Sequence, residues 1–177
     1  MLIFLTSNED KFREVENILD RELERRDVEL EEIQAVEIEE VIKHKLRQAY
    51  ELLNEPVLVE DTGLFIHAWN RLPGALTKFF LKKLSSEKIC GMVDENRKAS
   101  AETYVGYKDG EDTRIFKGTV KGRITEEPRG EGFGWDPIFQ PEGYERTFGE
   151  MPQEEKNQIS MRKKALEKLN QYLSPRG

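Results

Sequence analysis

Apolar residues lie along the chain in short runs whose period changes several times. Leu2 to Leu5 is a continuous apolar run that ends in Thr6-Ser7-Asn8, after which Phe12, Val15, Ile18, Leu19 and Leu23 recur at three- and four-residue spacing. That pattern predicts a buried strand, a turn and an amphipathic helix. Ser7 or Asn8 stands where a helix cap belongs, and Asp10 is placed to answer a Ser7 cap as in a capping box. Beyond a highly charged stretch from Leu23 to Glu32, the positions Val41, Ile42, Leu46, Ala49, Leu52 and Leu53 predict a second helix that ends before Pro56. Val57-Leu58-Val59 reads as a buried strand running into Glu60-Asp61-Thr62-Gly63, with Leu64-Phe65-Ile66 resuming the extended pattern. Pro73-Gly74 marks a turn, Leu76, Phe79, Phe80 and Leu84 suit a helix, and a shorter helix fits Glu87 to Val93.

The period then drops to two. Ala101, Thr103, Val105 and Tyr107 alternate with Glu102, Tyr104 and Gly106, and Lys108-Asp109-Gly110-Glu111 is a turn signal. Ile115 to Ile124 continues as strand with Gly118 and Gly122 as expected bulges, so this region reads as an antiparallel hairpin or meander. Arg129 to Phe139, rich in glycine and aromatics, reads as an ordered loop, and Glu154 to Leu173 as a closing amphipathic helix. With no linker and no repeat, residues 1–177 are expected to form a single α/β domain around a mixed sheet.

Composition narrows the class. The 177 residues carry 35 acidic and 28 basic side chains, a net charge of −7, with 37% hydrophobic against 36% charged residues. So polar a balance could belong to a disordered chain, but clustering of the apolar residues argues for a folded one. A chain of this length can bury about 70% of its unfolded surface. No apolar run approaches the roughly 18 residues of a membrane span, and Met1 to Leu5 has neither the basic start nor the length of a secretion signal. A soluble cytoplasmic protein is expected, and the single cysteine, Cys90, read as a small core residue, accords with a reducing compartment. The acidic excess disfavours a broad nucleic-acid surface, so an anionic ligand must meet a local basic cluster or a metal.

Several constellations offer such chemistry. Thr6-Ser7-Asn8 with Lys11 places unpaired N–H groups and a cation at a helix start, which suits phosphate. Glu60 and Asp61 end an apolar strand, where adjacent carboxylates are costly unless solvated or neutralised by a cation. Period two sends them to opposite faces, so only one can face a given metal. Glu31-Glu32 could supply a further carboxylate. Phe133-Gly134-Trp135-Asp136-Pro137 can stack on a nucleobase and hydrogen-bond its edge, and Lys156, Arg162, Lys163 and Lys164 give the closing helix a basic face. Each has an ordinary alternative: a capped helix, a solvated strand end, a loop anchored by aromatics, a solvated face. His44 and His67 lack metal-ligand spacing and read as surface or packing residues. Together the set points to a nucleotide and magnesium.

The ordered motifs Thr6-Ser7-Asn8-x-x-Lys11, Glu32-Ile33-Gln34, Val57 to Leu64, Leu72-Pro73-Gly74, Phe133 to Pro137, Glu155-Lys156-Asn157 and Ser160-x-Arg162 closely resemble the inosine/xanthosine triphosphate pyrophosphatase family, over positions 6 to 166. The resemblance implies a long mixed β-sheet flanked by helices in two lobes, with the active-site cleft between them. It implies hydrolysis of deaminated purine nucleoside triphosphates (ITP, dITP, XTP) to the monophosphate and pyrophosphate, with Mg²⁺, in a homodimer without nucleic-acid or membrane partners. By motif matching, Thr6, Ser7, Asn8 and Lys11 would cradle phosphates, and Glu32 and Asp61 would hold Mg²⁺. Asp61 would also activate the attacking water. Lys45, Thr62 and Lys156 would join substrate binding, with Lys43 an alternative to Lys45. Phe133, Gly134, Trp135, Asp136 and Arg162 would form the base pocket. Where the family reads Ser-His-Arg this chain has Ser160-Met161-Arg162, which removes a polar base contact. A related pyrophosphatase of other modified nucleotides, or a nucleotide-binding regulatory module, are the competing expectations.

Overall fold

The computed structural model describes residues 1–110 and 112–174, without the side chain of Asp10. The capping role expected of Asp10 and the Glu111 end of the predicted turn therefore lie outside the described residues. The elements run β1 (Leu2–Leu5), α1 (Glu9–Leu19), β2 (Leu23–Arg26), α2 (Ile38–Leu53), β3 (Val57–Ile66), β4 (Pro73–Gly74), α3 (Thr77–Lys83), α4 (Ser86–Met92), β5 (Lys98–Asp109), β6 (Asp112–Ile124), β7 (Phe139–Pro141), α5 (Gln153–Ile159) and α6 (Met161–Leu173). The seven strands form one mixed sheet in the order β2-β1-β3-β5-β6-β7, with β4 joined to β3. β1 pairs parallel with β2 and β3, whereas β3, β5, β6 and β7 pair antiparallel in succession.

Every residue of β3 is matched with β5 on one edge, from Val57↔Lys108 to Ile66↔Ala99. The other edge is shared by two short strands. β1 takes Val57 and Leu58, and β4 takes Leu64 and Phe65. Among the described residues, Val59 to Gly63 have no strand partner there, and this five-residue gap is where the carboxylate motif lies. Gly63 closes its far end, because a Cβ at this position would stand 2.4 Å from the carbonyl oxygen of Gly74.

Helices cover both faces of the sheet. α2 lays Ile38, Ile42, Leu46 and Ala49 on Ile3, Leu5, Val57 and Val59. On the opposite face, Val15 and Leu19 of α1 and Ala165, Leu166 and Leu169 of α6 meet Phe4, Leu58, Val105 and Tyr107. A further apolar cluster under the second half of β3 holds Leu64, Ile66, Ile89, Val120, Phe139, Phe148 and Met161, with Cys90 fully buried as expected of a small core residue.

Three local expectations are corrected and a fourth is narrowed. The charged stretch after Leu23 contains an edge strand, β2, of which only Leu23 is buried, so no period-two signal marks it. Of the two cap residues expected, Ser7 or Asn8, it is Asn8 that caps α1: its side chain accepts from the Lys11 N–H. The closing helix is two helices, broken at Ser160, whose extended backbone (φ −63°, ψ 150°) ends α5 while its side chain caps α6. Gly118 and Gly122 are not bulges, since the β5–β6 register runs through both without interruption. Gly118 instead admits α6, where an added Cβ would lie 1.8 Å from the Met161 carbonyl oxygen. The basic face of α6 also has a structural task. Lys164 and Lys168 donate to the carbonyls of Thr119 (3.1 Å) and Lys117 (2.6 Å), blunting the open edge of β6. Gly118→Ala should destabilise the fold by about 1–3 kcal/mol in urea unfolding, the usual cost of overpacking; a change below about 0.5 kcal/mol would contradict this close approach.

Candidate active site

The chain turns from β1 into α1 through a nested set of hydrogen bonds. The Thr6 N–H donates to Arg26 O (3.1 Å), Thr6 Oγ1 accepts from the Asn8 N–H (3.1 Å), and Asn8 Oδ1 accepts from the Lys11 N–H (2.9 Å). Lys11, in the first turn of α1, is thereby carried to the β3 gap. Its Nζ lies 3.2 Å from Oε1 of Glu60.

The period-two expectation for the carboxylate pair is met: Glu60 and Asp61 serve different sides of β3. The Glu60 side chain is only 1% exposed. Besides Lys11, its Oε1 receives the Thr62 hydroxyl (3.0 Å), and its Oε2 receives Arg162 Nε from α6 (2.8 Å). Arg162 Nη1 donates onward to Glu14 of α1 (2.5 Å), so Nη2 is the guanidinium nitrogen with no hydrogen bond among the described residues. Thr62 and Thr103 hydroxyls lie 2.8 Å apart beneath this cluster. Burial pushes the Glu60 carboxyl up, but Arg162 and Lys11 outweigh it and hold the group well below the usual carboxylate range. For Arg162 burial opposes the charge, and Glu60 and Glu14 restore it, so its affinity for the proton rises.

On the other side, Lys45 of α2 bridges two carboxylates. Its Nζ is 3.0 Å from Glu32 Oε1 and 3.3 Å from Asp61 Oδ2, while Lys78 of α3 pairs with the second oxygen of Glu32. Asp61 Oδ1 accepts from the Thr62 N–H (2.9 Å), which fixes the carboxylate plane. Burial raises the Glu32 carboxyl, yet the ammonium groups of Lys78 and Lys45 bring it down to about 2, so it is anionic at neutral pH. Lys45 is pushed down by burial and up by Asp61 and Glu32, with a net rise. Lys43, the alternative, points away and pairs with Glu39 (2.6 Å) on the exposed side of α2.

This donor set fits Mg²⁺. Both groups are hard carboxyl oxygens drawn to one ammonium that a cation could displace. Among the described residues no three His, Cys, Asp or Glu side chains gather anywhere. Two protein carboxylates, with water and substrate phosphate completing the shell, are what Mg²⁺ commonly takes.

The glycine–aromatic loop forms a third group, joined to the other two by no hydrogen bond or ion pair among the described residues. Phe133 is 89% exposed, Gly134 adopts φ +67°, and Trp135 is half-buried against the apolar cluster under β3. Asp136, nearly buried, receives Lys156 Nζ at 2.5 Å. Met161 is 6% exposed within that same apolar cluster. Two participants escaped the sequence reading. Glu60 was seen only as one of an adjacent pair. Lys78 sits beside Thr77, whose hydroxyl donates to Gly74 O (2.5 Å) and accepts from the Leu64 N–H (3.0 Å), tying α3 to the gap.

A mixed sheet interrupted at its central strand, with carboxylate–lysine clusters on both sides of the interruption, defines a single-domain α/β protein. The profile of the Ham1 family matches residues 2–172. The chain is 43% identical over 178 residues to the dITP/XTP pyrophosphatase of Methanopyrus kandleri, covering 97% of this chain and 95% of that one. It is 44% identical over 181 residues to the inosine triphosphate pyrophosphatase of Yarrowia lipolytica, with 98% and 95% covered. A HAM1 protein from Coxiella burnetii has a similar structure, with TM-score 0.85, 31% identity and 98% of each chain covered. The chain belongs to the Ham1 family.

Removing the buried carboxylate tests the first cluster. Glu60→Ala leaves Arg162 and Lys11 without their shared partner and should cost about 3–5 kcal/mol of stability in urea unfolding; a loss under about 1 kcal/mol would contradict it. Because the folded carboxyl of Glu60 titrates lower than the unfolded one, its contribution is present above the unfolded value of 4.5 and disappears as pH falls below it. Glu60→Gln should therefore show a shallower acid-side loss of stability than the wild type.

Proposed function

We propose that this chain hydrolyses the deaminated purine nucleoside triphosphates ITP, dITP and XTP to the monophosphate and pyrophosphate with Mg²⁺, cleansing the nucleotide pool. The observation that carries the reading is Lys45 held between Glu32 and Asp61, with Lys78 on the second Glu32 oxygen and Lys11 across the strand. Each of these lysines rests on a carboxylate, so a triphosphate bearing about four negative charges can take the cations over without leaving one bare. The names of the relatives in Methanopyrus kandleri and Yarrowia lipolytica support the same substrates.

Phosphoryl transfer asks the protein mainly for positioning and charge neutralisation. When bound, Mg²⁺ would neutralise phosphate oxygens and favour departure of pyrophosphate, with Glu32 and Asp61 as its protein donors. Lys11 and the Thr6-Ser7-Asn8 turn would hold phosphate at the start of α1. Asp61, its plane set by the Thr62 N–H, would orient a water toward the α-phosphorus and accept its proton. Lys156, paired with Asp136, stands at the loop that would take the base, and the exposed Phe133 ring is free to stack on it.

Base choice rests on Arg162. With Nε and one Nη1 hydrogen committed to Glu60 and Glu14, Nη2 and the remaining Nη1 hydrogen are left for O6 and N7 of a 6-keto purine. Adenine would set its amino donor against these donors, at about 1–3 kcal/mol, or roughly 5- to 150-fold. Guanine shares O6 and N7, so its rejection must act elsewhere, around C2. Among the described residues no helix is long and apolar enough to cross a membrane, and the proposed site of action is the cytoplasm. The proposal includes a homodimer, for which the exposed Leu72 and Phe79 beside β4 and on α3 offer apolar surface; sedimentation velocity should return twice the mass of one chain, and a monomer at micromolar concentration would remove this element.

Incubated with ITP and Mg²⁺, the protein should release pyrophosphate rather than phosphate, and turn over ATP at least fivefold more slowly. Asp61→Asn should lose at least about 100-fold in kcat while still binding ITP. Near-normal turnover by that variant would remove Asp61 from the chemistry.

A further inference from the structure

Glu32 comes from residues 27–37, a stretch with no helix or strand, yet its carboxylate must stand beside Asp61. Its lysine partners cannot hold it there during the reaction, since substrate and cation compete for the same atoms. Another anchor is present. Gln48 of α2 accepts the Glu31 N–H at Oε1 (2.9 Å) and donates from Nε2 to the Glu31 carbonyl (3.2 Å). One side-chain amide thus satisfies both backbone polar groups of the residue before Glu32, as a neighbouring strand would. The second Nε2 hydrogen is directed to His44 Nδ1 at 2.7 Å, one turn earlier on the same helix. With the amide so placed, that contact requires Nδ1 to be the unprotonated nitrogen, and a flipped amide would lose both bonds to Glu31. The stretch is tied again at Val36, whose carbonyl accepts from the Ala75 N–H (2.8 Å) just after β4.

We propose that Gln48, with its amide oriented by His44, is a positioning residue that clamps the backbone at Glu31 and so presents Glu32 to the cation shared with Asp61. The proposal rests on the reading of Glu32 as a metal donor. It places the anchor on α2, three residues beyond Lys45, so the helix that supplies the bridging lysine also fixes the loop carboxylate it bridges.

Gln48→Met keeps the side-chain length and removes the hydrogen bonds. In the ion-free protein, amide exchange at Glu31 should become about tenfold faster. In calorimetric titration with Mg²⁺ alone, affinity should fall about tenfold. The thermal midpoint should stay within a few degrees, and kcat on ITP should return to within about twofold of wild type at saturating Mg²⁺. His44→Phe should speed exchange at Glu31 by a smaller factor; unchanged exchange would remove His44 from the clamp. Wild-type exchange at Glu31 in Gln48→Met, or unchanged Mg²⁺ affinity there while Glu32→Gln loses it, would overturn the proposal. Unchanged affinity in Glu32→Gln would instead overturn the metal-donor reading, and the exchange rate alone would then decide whether Gln48 clamps the loop.

Discussion

The site depends on an interruption in the sheet. β3 is a central strand with both faces covered, yet along one edge Val59 to Gly63 have no strand partner among the described residues, because β1 stops short and β4 begins late. A continuous partner strand would have filled that edge. The interruption lets a strand alternate its side chains across an opening, so Glu60 gathers Lys11, Thr62 and Arg162 on one side and Asp61 meets Lys45 and Glu32 on the other. Gly63, without a Cβ to strike Gly74, is what allows β4 to approach the far end and deliver α3 with Lys78.

Electrostatics follows from this geometry. A net charge of −7 would seem hostile to a triphosphate, but the carboxylates at the gap are matched by cations: Glu60 and Glu14 with Lys11 and Arg162, Glu32 and Asp61 with Lys45 and Lys78. The buried Glu60 would be untenable as an isolated ion, and each cluster is held by partners from at least two elements. Arg162, neutralised by two carboxylates, is better suited to donate to a neutral base than to capture phosphate. The lysines, each sharing its carboxylate, are the cations a phosphate can draw away.

Much of this was legible in the residues. The apolar run before Thr6-Ser7-Asn8 gave β1 and α1, and alternation alone placed Glu60 and Asp61 on opposite sides. β2 was not legible, because an edge strand burying one leucine carries no period. The break at Ser160 was hidden because the charged and apolar residues on both sides continue a helical rhythm, and only the backbone of Ser160 shows the corner. Lys78 and Gln48 were invisible for a different reason. A lysine in a first turn and a glutamine in a helix have solvated readings by default, and only the folded chain shows which distant backbone or carboxylate they meet. The pairing of Asp136 with Lys156 is of the same kind, joining a loop and a helix 20 residues apart.

In the proposed reaction water attacks the α-phosphorus, so that the bond to pyrophosphate breaks. Hydrolysis of ITP in ¹⁸O-enriched water, with mass analysis of both products, tests it most directly. The account predicts a single ¹⁸O in the inosine monophosphate and none in the pyrophosphate; label in the pyrophosphate would place the attack on the β-phosphorus and contradict it.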